Sequence, residues 1–175
     1  LRAADEAVAE GRTGEAVDIL NGLLRDRPDH PALLRRLARV ELGQGRNEAA
    51  LDHLDALLRE DPDDVGALVL SGYVAGISGR FHDGVARLHR ALALDPSNAQ
   101  AMIFLGVLQS GRGWYDTAES LLVRAAELAP SNGEAHHNLA VLYSVRPAPD
   151  PALAREHYRR ATELGAPRDA QLEKW

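Results

Sequence analysis

Asp95-Pro96-Ser97-Asn98, Leu105-Gly106, Gly113, Ala118, Leu122, Ala125 and Leu128-Ala129-Pro130 punctuate one stretch of the chain, from Asp95 to Pro130. Two proline-containing turns bracket it. Between them lie two amphipathic segments separated by a glycine. The punctuation recurs, because Pro28, Pro62, Pro96 and Pro130 stand at one spacing of 34 residues. A period of that length marks a repeat array in which each copy is one supersecondary unit.

Working outward, each copy has the same grammar. The first segment, Leu1 to Glu10, has Leu1, Ala4 and Val8 at helical spacing, and Gly11-Arg12 breaks it. Thr13 is expected to cap the next helix, whose apolar stripe is Ala16, Val17, Leu20, Leu23 and Leu24. Arg27-Pro28-Asp29 ends it, since the residue before a proline is pushed out of the helical region. The second copy has a first helix over about Pro31–Leu42, then Gly43-Gln44-Gly45. Asn47 is expected to cap a helix carrying Ala50, Leu51, Leu54, Leu57 and Leu58. The third copy predicts helices near Asp64–Ser78 and His82–Leu94, and the fourth near Asn98–Ser110 and Tyr115–Leu128. The fifth predicts one from about Asn132 to Val145, followed by a stiff turn, Arg146-Pro147-Ala148-Pro149-Asp150-Pro151, two residues longer than its counterparts. Asp150 and Pro151 suit the cap and first position of a helix through Ala154, Tyr158, Ala161 and Leu164. Asp169 is expected to cap a short last helix with Ala170, Leu172 and Trp175 on one face.

This unit resembles the tetratricopeptide repeat (TPR), in its prokaryotic form. Placing the prolines at position 32 puts Leu105-Gly106 at positions 7–8, Ala118 at 20, Leu122 at 24 and Ala125 at 27. The second copy matches with Leu34, Leu37-Ala38, Ala50, Leu54 and Leu57, and the third with Leu68, Ser71-Gly72, Leu88 and Ala91. The fifth supplies Leu139-Ala140, Tyr143, Ala154, Tyr158 and Ala161. Departures are His136 at position 4, Glu41 and Gln109 at position 11, and Gly84 in place of the usual alanine. The resemblance implies an all-α, right-handed superhelical solenoid of about five helical hairpins plus a C-terminal capping helix. A single domain over 1–175 is expected, with units at about 1–30, 31–64, 65–98, 99–132 and 133–167 and a terminal helix at 168–175. Small residues at positions 8, 20 and 27 let two helices approach, and larger ones fill the gaps. One unit cannot bury its apolar face alone, so neighbours stack.

Composition narrows the function. The net charge is −6, which argues against an extended nucleic-acid face. The basic residues are arginines apart from Lys174, a bias expected either from the base composition of the genome or from a selected arginine surface. No cysteine is present, which removes disulfides, thiolate metal sites and a cysteine nucleophile. No apolar run is long enough to span a membrane. The chain opens at Leu1 without an initiating methionine, so a leader could precede it; a soluble protein is expected, with location left open and the cytoplasm favoured.

Catalytic patterns are lacking. The histidines His30, His53, His82, His89, His136, His137 and His157 include no i, i+4 pair, and neither a phosphate loop nor a nucleophile elbow occurs. Adjacent His136 and His137 point to different helix faces, so no metal or cofactor is expected.

Function in the family lies in a concave groove lined by positions 2, 5, 9, 12 and 13 of the first helix of each repeat. Three or four residues apart, these form a stripe separate from the packing stripe. Here the stripe predicts a cationic end at Arg35 and Arg39 and an apolar floor at Val69, Tyr73 and Ile77, continued by Ile103, Val107 and Val141. Gln100 and His137 also fall on it. Such a surface suits a peptide or amphipathic helix with apolar anchors and an acidic end. The competing expectation is that positions 5 and 9 bury against neighbouring helices. The carboxylate clamp of chaperone-binding members is not matched, because its positions hold Arg35, Arg39, Leu70, Gln100 and Phe104. The expected function is that of a protein-binding adaptor or scaffold. The alternatives are a recruitment domain of a larger enzyme and self-association through an exposed end repeat.

Overall fold

The computed structural model of the protein describes residues 2–174. It contains ten α-helices and one 3₁₀ turn among them, and no strand. They group into two compact units, 1–94 and 95–175.

The first unit holds α1 (Arg2–Ala9), α2 (Thr13–Asp26), α3 (Pro31–Gly43), α4 (Asn47–Glu60), α5 (Val65–Ile77) and α6 (Phe81–Leu94). Consecutive helices pair as hairpins α1–α2, α3–α4 and α5–α6, and α2 and α4 each pack on the next hairpin. The core follows the repeat: Leu34, Ala38, Ala50, Leu54 and Leu57 are all buried around α3–α4. The closest approach is in α5–α6, where a Cβ added to Gly84 would lie 2.5 Å from the Gly72 carbonyl oxygen and 2.7 Å from the Gly76 nitrogen. Glycine at position 20 is therefore a fit to two glycines on the facing helix.

The second unit holds α7 (Ala99–Ser110), α8 (Tyr115–Leu128), α9 (Gly133–Val145) and α10 (Pro151–Glu163), with a 3₁₀ turn at Leu172–Lys174. Hairpins α7–α8 and α9–α10 stack through α8 on α9 and α7 on α9. Ala118, Leu122, Ala125, Leu139, Ala140 and Ala161 are each at most 1% exposed.

The turns explain where helices start. Gly45 has a φ of 71°, a left-handed conformation that suits glycine, and glycines 11, 79 and 113 repeat it at the same 34-residue spacing. After Gly45, Arg46 N–H returns to the Glu41 carbonyl at 2.8 Å, which closes α3, while the Arg46 carbonyl accepts from Ala50 and opens α4. One residue thus ends one helix and begins the next. This corrects two expectations: Thr13 and Asn47 are first helical residues, and the capping positions are Arg12 and Arg46, with no side-chain cap. Before α5, α7, α9 and α10 the caps are side chains, Asp64, Asn98, Asn132 and Asp150. Asp150 accepts from both Ala152 and Leu153 nitrogens, at 3.1 and 3.0 Å. Asp169 likewise accepts from Gln171 at 2.8 Å, but what it opens is a single 3₁₀ turn with Leu172 buried, shorter than the expected helix. Trp175 lies outside the described residues.

Candidate functional site

In the first unit the predicted stripe runs over α3 and α5. Arg35 and Arg39 both project into solvent. Their situations differ. Arg35 forms an ion pair with Asp64, whose other carboxylate oxygen accepts from Ala67 N–H at 3.0 Å as the cap of α5. Its charge is largely answered. Arg39 has no ion-pair or hydrogen-bond partner among the described residues. It lines a depression of about 270 Å³ together with Ala4, Val8, Leu20 and Val40. The same depression carries the Arg36–Asp5 pair, with contacts of 2.7 and 2.8 Å that tie α3 to α1. Val8 keeps 42% of its surface exposed at this edge. Farther along, Tyr73 is half-buried and Ile77 is exposed. Val69, at 7% exposure, belongs to the packing.

In the second unit Gln100 donates to Glu134 at 3.0 Å, joining α7 to α9. Ile103 is fully buried, which leaves it no surface for a ligand. Val107, Val141 and His137 are half-buried. His137 borders a depression of about 310 Å³ with Gly133, Leu164, Ala166 and Pro167. Its Nε2 stands 3.7 Å from the Asp169 carboxylate, while its Nδ1 is buried without a hydrogen-bond partner. Asn138, on the same helix, donates to the Glu134 carbonyl at 2.9 Å, a local role.

Position-by-position reading from Pro31 onward missed Asp5 and Val8. Both were reachable: 34 residues before Arg39 and Leu42 they occupy the same stripe of the first repeat. The segment after α10 carried no such signal, because its contact with His137 depends on how Gly165 and Pro167 turn the chain. Among the described residues no group of three or more His, Asp or Glu is placed to hold a metal ion. None of the described helices is long and apolar enough to cross a membrane.

Sequential helical hairpins with small residues at their crossings and a separate side-chain stripe define an all-α helical-repeat protein. A tetratricopeptide-repeat family model matches residues 7–69 and 77–140. The chain belongs to the tetratricopeptide repeat family and has its solenoid fold, and members of that family generally act through protein–protein interaction. Among solved structures it is similar to TTC0263, a thermophilic TPR protein of Thermus thermophilus. The identity there is 25%, over 99% of this chain and 93% of that one, with a TM-score of 0.83. Two further likenesses are of fold alone. PilW, described as a widely conserved type IV pilus biogenesis factor, is 19% identical over 98% of this chain and 78% of its own, at a TM-score of 0.82. YrrB, described as a TPR protein with an unusual peptide-binding site, is 18% identical over 97% and 85%, at 0.62. No curated protein sequence matches the chain.

Proposed function

We propose that the chain is a protein-binding adaptor or scaffold that takes a peptide segment on the stripe carried by the first helix of a repeat, as a non-catalytic single domain. The observation that carries this is Arg39, an unpaired guanidinium beside a depression whose apolar lining is Ala4, Leu20, Val40 and exposed Val8 and which also holds the Arg36–Asp5 pair. Neighbouring arginines on the same helix are answered by Asp5 and Asp64. An unanswered fixed cation next to an apolar hollow selects a ligand with a carboxylate adjoining an apolar side chain. A guanidinium can bind that carboxylate through two parallel hydrogen bonds, which fixes orientation as well as adding affinity. Tyr73 and Ile77 are the further stripe positions of the first unit that retain surface for such a segment. The peptide site described for YrrB supports testing a peptide first.

The experiment is panning of random peptides displayed on phage against the wild-type chain and Arg39→Glu. Enriched peptides should share an acidic residue beside a large apolar one and should lose capture by Arg39→Glu, while Arg59→Glu, on α4, captures them normally. Enriched peptides without an acidic residue, or equal capture by Arg39→Glu, would contradict the reading.

A further inference from the structure

The last hairpin contains a polar cluster that the binding reading does not use. At position 4, where the second and third repeats bury Leu34 and Leu68, the fifth has His136. Its ring meets that of His157 on α10, with the two Nδ1 atoms 3.0 Å apart and the ring centroids 5.2 Å apart. Two lone pairs do not face each other at that distance, so one ring donates its Nδ1–H and the other accepts. Tyr143 packs on His157 with centroids 5.6 Å apart. The Tyr143 hydroxyl donates to Glu119 on α8 at 2.8 Å, and Arg146, in the proline-rich turn, reaches the other Glu119 oxygen at 3.2 Å. The pair therefore sits inside a network joining α8, α9, α10 and the turn between the last two.

We propose that His136 and His157 form a proton-sensitive latch that holds α10 on α9 while it is neutral and releases it when both rings are charged. The neutral pair shares one Nδ1 proton. A first added proton enters at an outer Nε2, leaving the Nδ1–H···Nδ1 bond in place but putting a charge in a half-buried contact. A second sets N–H against N–H and removes the bond.

The surrounding charges do not reverse this. Burial is the main cause holding both histidines below their usual pKa, with Arg160 adding to it for His136 and His136 adding to it for His157. Glu156 and Glu119 act the other way on His157, more weakly than burial. Helix α7 has no titratable side chain. Arg146 is engaged by Glu119, Asp150 caps α10, Asp169 faces His137, and Glu173 accepts from Tyr158. The sign follows from linkage. With folded pKa values below the ordinary 6.5, the unfolded chain takes up protons first as pH falls. The latch is fully stabilising above 6.5 and is lost progressively as pH falls from there through the lower folded values.

The test is amide hydrogen exchange of the intact chain at about pH 7.5 and about pH 5, corrected for intrinsic rates, with imidazole NMR titration alongside. The expected result is loss of protection across α9 and α10 at the lower pH but not across α5, which has neither histidine nor carboxylate. His136 and His157 should both titrate below the ordinary imidazole value of 6.5. In His136→Leu/His157→Leu, protection should be the same at both pH values. Titration of His136 and His157 at or above 6.5 overturns the proposal, as does acid loss of protection that persists in the double variant. Should that variant fail to fold, the wild-type titration and exchange decide by themselves.

Discussion

Gly84 shows how a residue that departs from the repeat can be the right one for its place. Repairing it to the usual alanine would put a methyl group 2.5 Å from the Gly72 carbonyl oxygen and 2.9 Å from the Gly76 Cα, both backbone atoms that cannot step aside alone. Gly84→Ala should therefore destabilise the first unit by about 2 kcal/mol, measured by urea unfolding, although alanine is the better helix former. Glu41 is the opposite case. It fills a position usually given to a large residue, is only 5% exposed, and has His53 Nε2 as its neighbour at 3.4 Å. One of its oxygens makes no hydrogen bond. Glu41→Leu should stabilise the protein by about 1 kcal/mol in the same assay, since an incompletely answered buried carboxylate is replaced by apolar volume. The small residues at helix crossings could be read from sequence because their spacing and size carry the information. Which stripe residues keep a surface could not: Val69 and Ile103 share the register of Tyr73 and Val107, and only the packed helices separate the buried pair from the half-exposed one.

Among the elements, the extents of α1 to α10 agree with the periodicity to within a residue or two, the terminal segment is shorter than expected, and the caps agree only in part. Asp150 and Asp169 were legible because a side-chain acceptor at the start of an apolar run is a local signal. Asp64, Asn98 and Asn132, expected as the first residues of their helices, are their caps. The starts at Thr13 and Asn47 were not legible, because the preceding glycine hands the capping position to Arg12 and Arg46 through backbone hydrogen bonds alone. Removing a cap that exists should cost more than removing one that does not. Asp150→Ala should lower stability by about 1 kcal/mol, since Asp150 satisfies two amides at the start of α10, whereas Asn47→Ala should change it little. The chain's two tryptophans, Trp114 and Trp175, both follow Asp95, so tryptophan fluorescence during urea unfolding reads the Asp150 effect in its own unit.

For the whole molecule, the repeat period identified the family and the division of each copy into a packing set and a free set. Charge pairing escaped the sequence because it joins residues in neighbouring repeats: Arg36 to Asp5, Arg80 to Glu48 and Arg87 to Asp55 are about one repeat apart and contiguous only once the hairpins stack. Those pairs leave Arg39 as the unanswered cation of its depression. The second unit should also respond to pH at the alkaline end. Tyr143 is buried, and burial first, then its hydrogen bond to Glu119, pushes its hydroxyl up to about 12. Because the neutral phenol is favoured in the fold, this stabilisation is complete below the ordinary value of 10 and lost as pH rises from there toward about 12. Tryptophan fluorescence in urea should show the midpoint falling over that range, and Tyr143→Phe should flatten the fall. The account's central claim is that packing and recognition use different stripes of the same helices. The most direct measurement is backbone amide NMR of the wild-type chain titrated with a peptide selected for dependence on Arg39. Shifts concentrated at Val8, Arg39 and Val40, on α1 and α3, are predicted; shifts centred instead on α4 and α6 would contradict it.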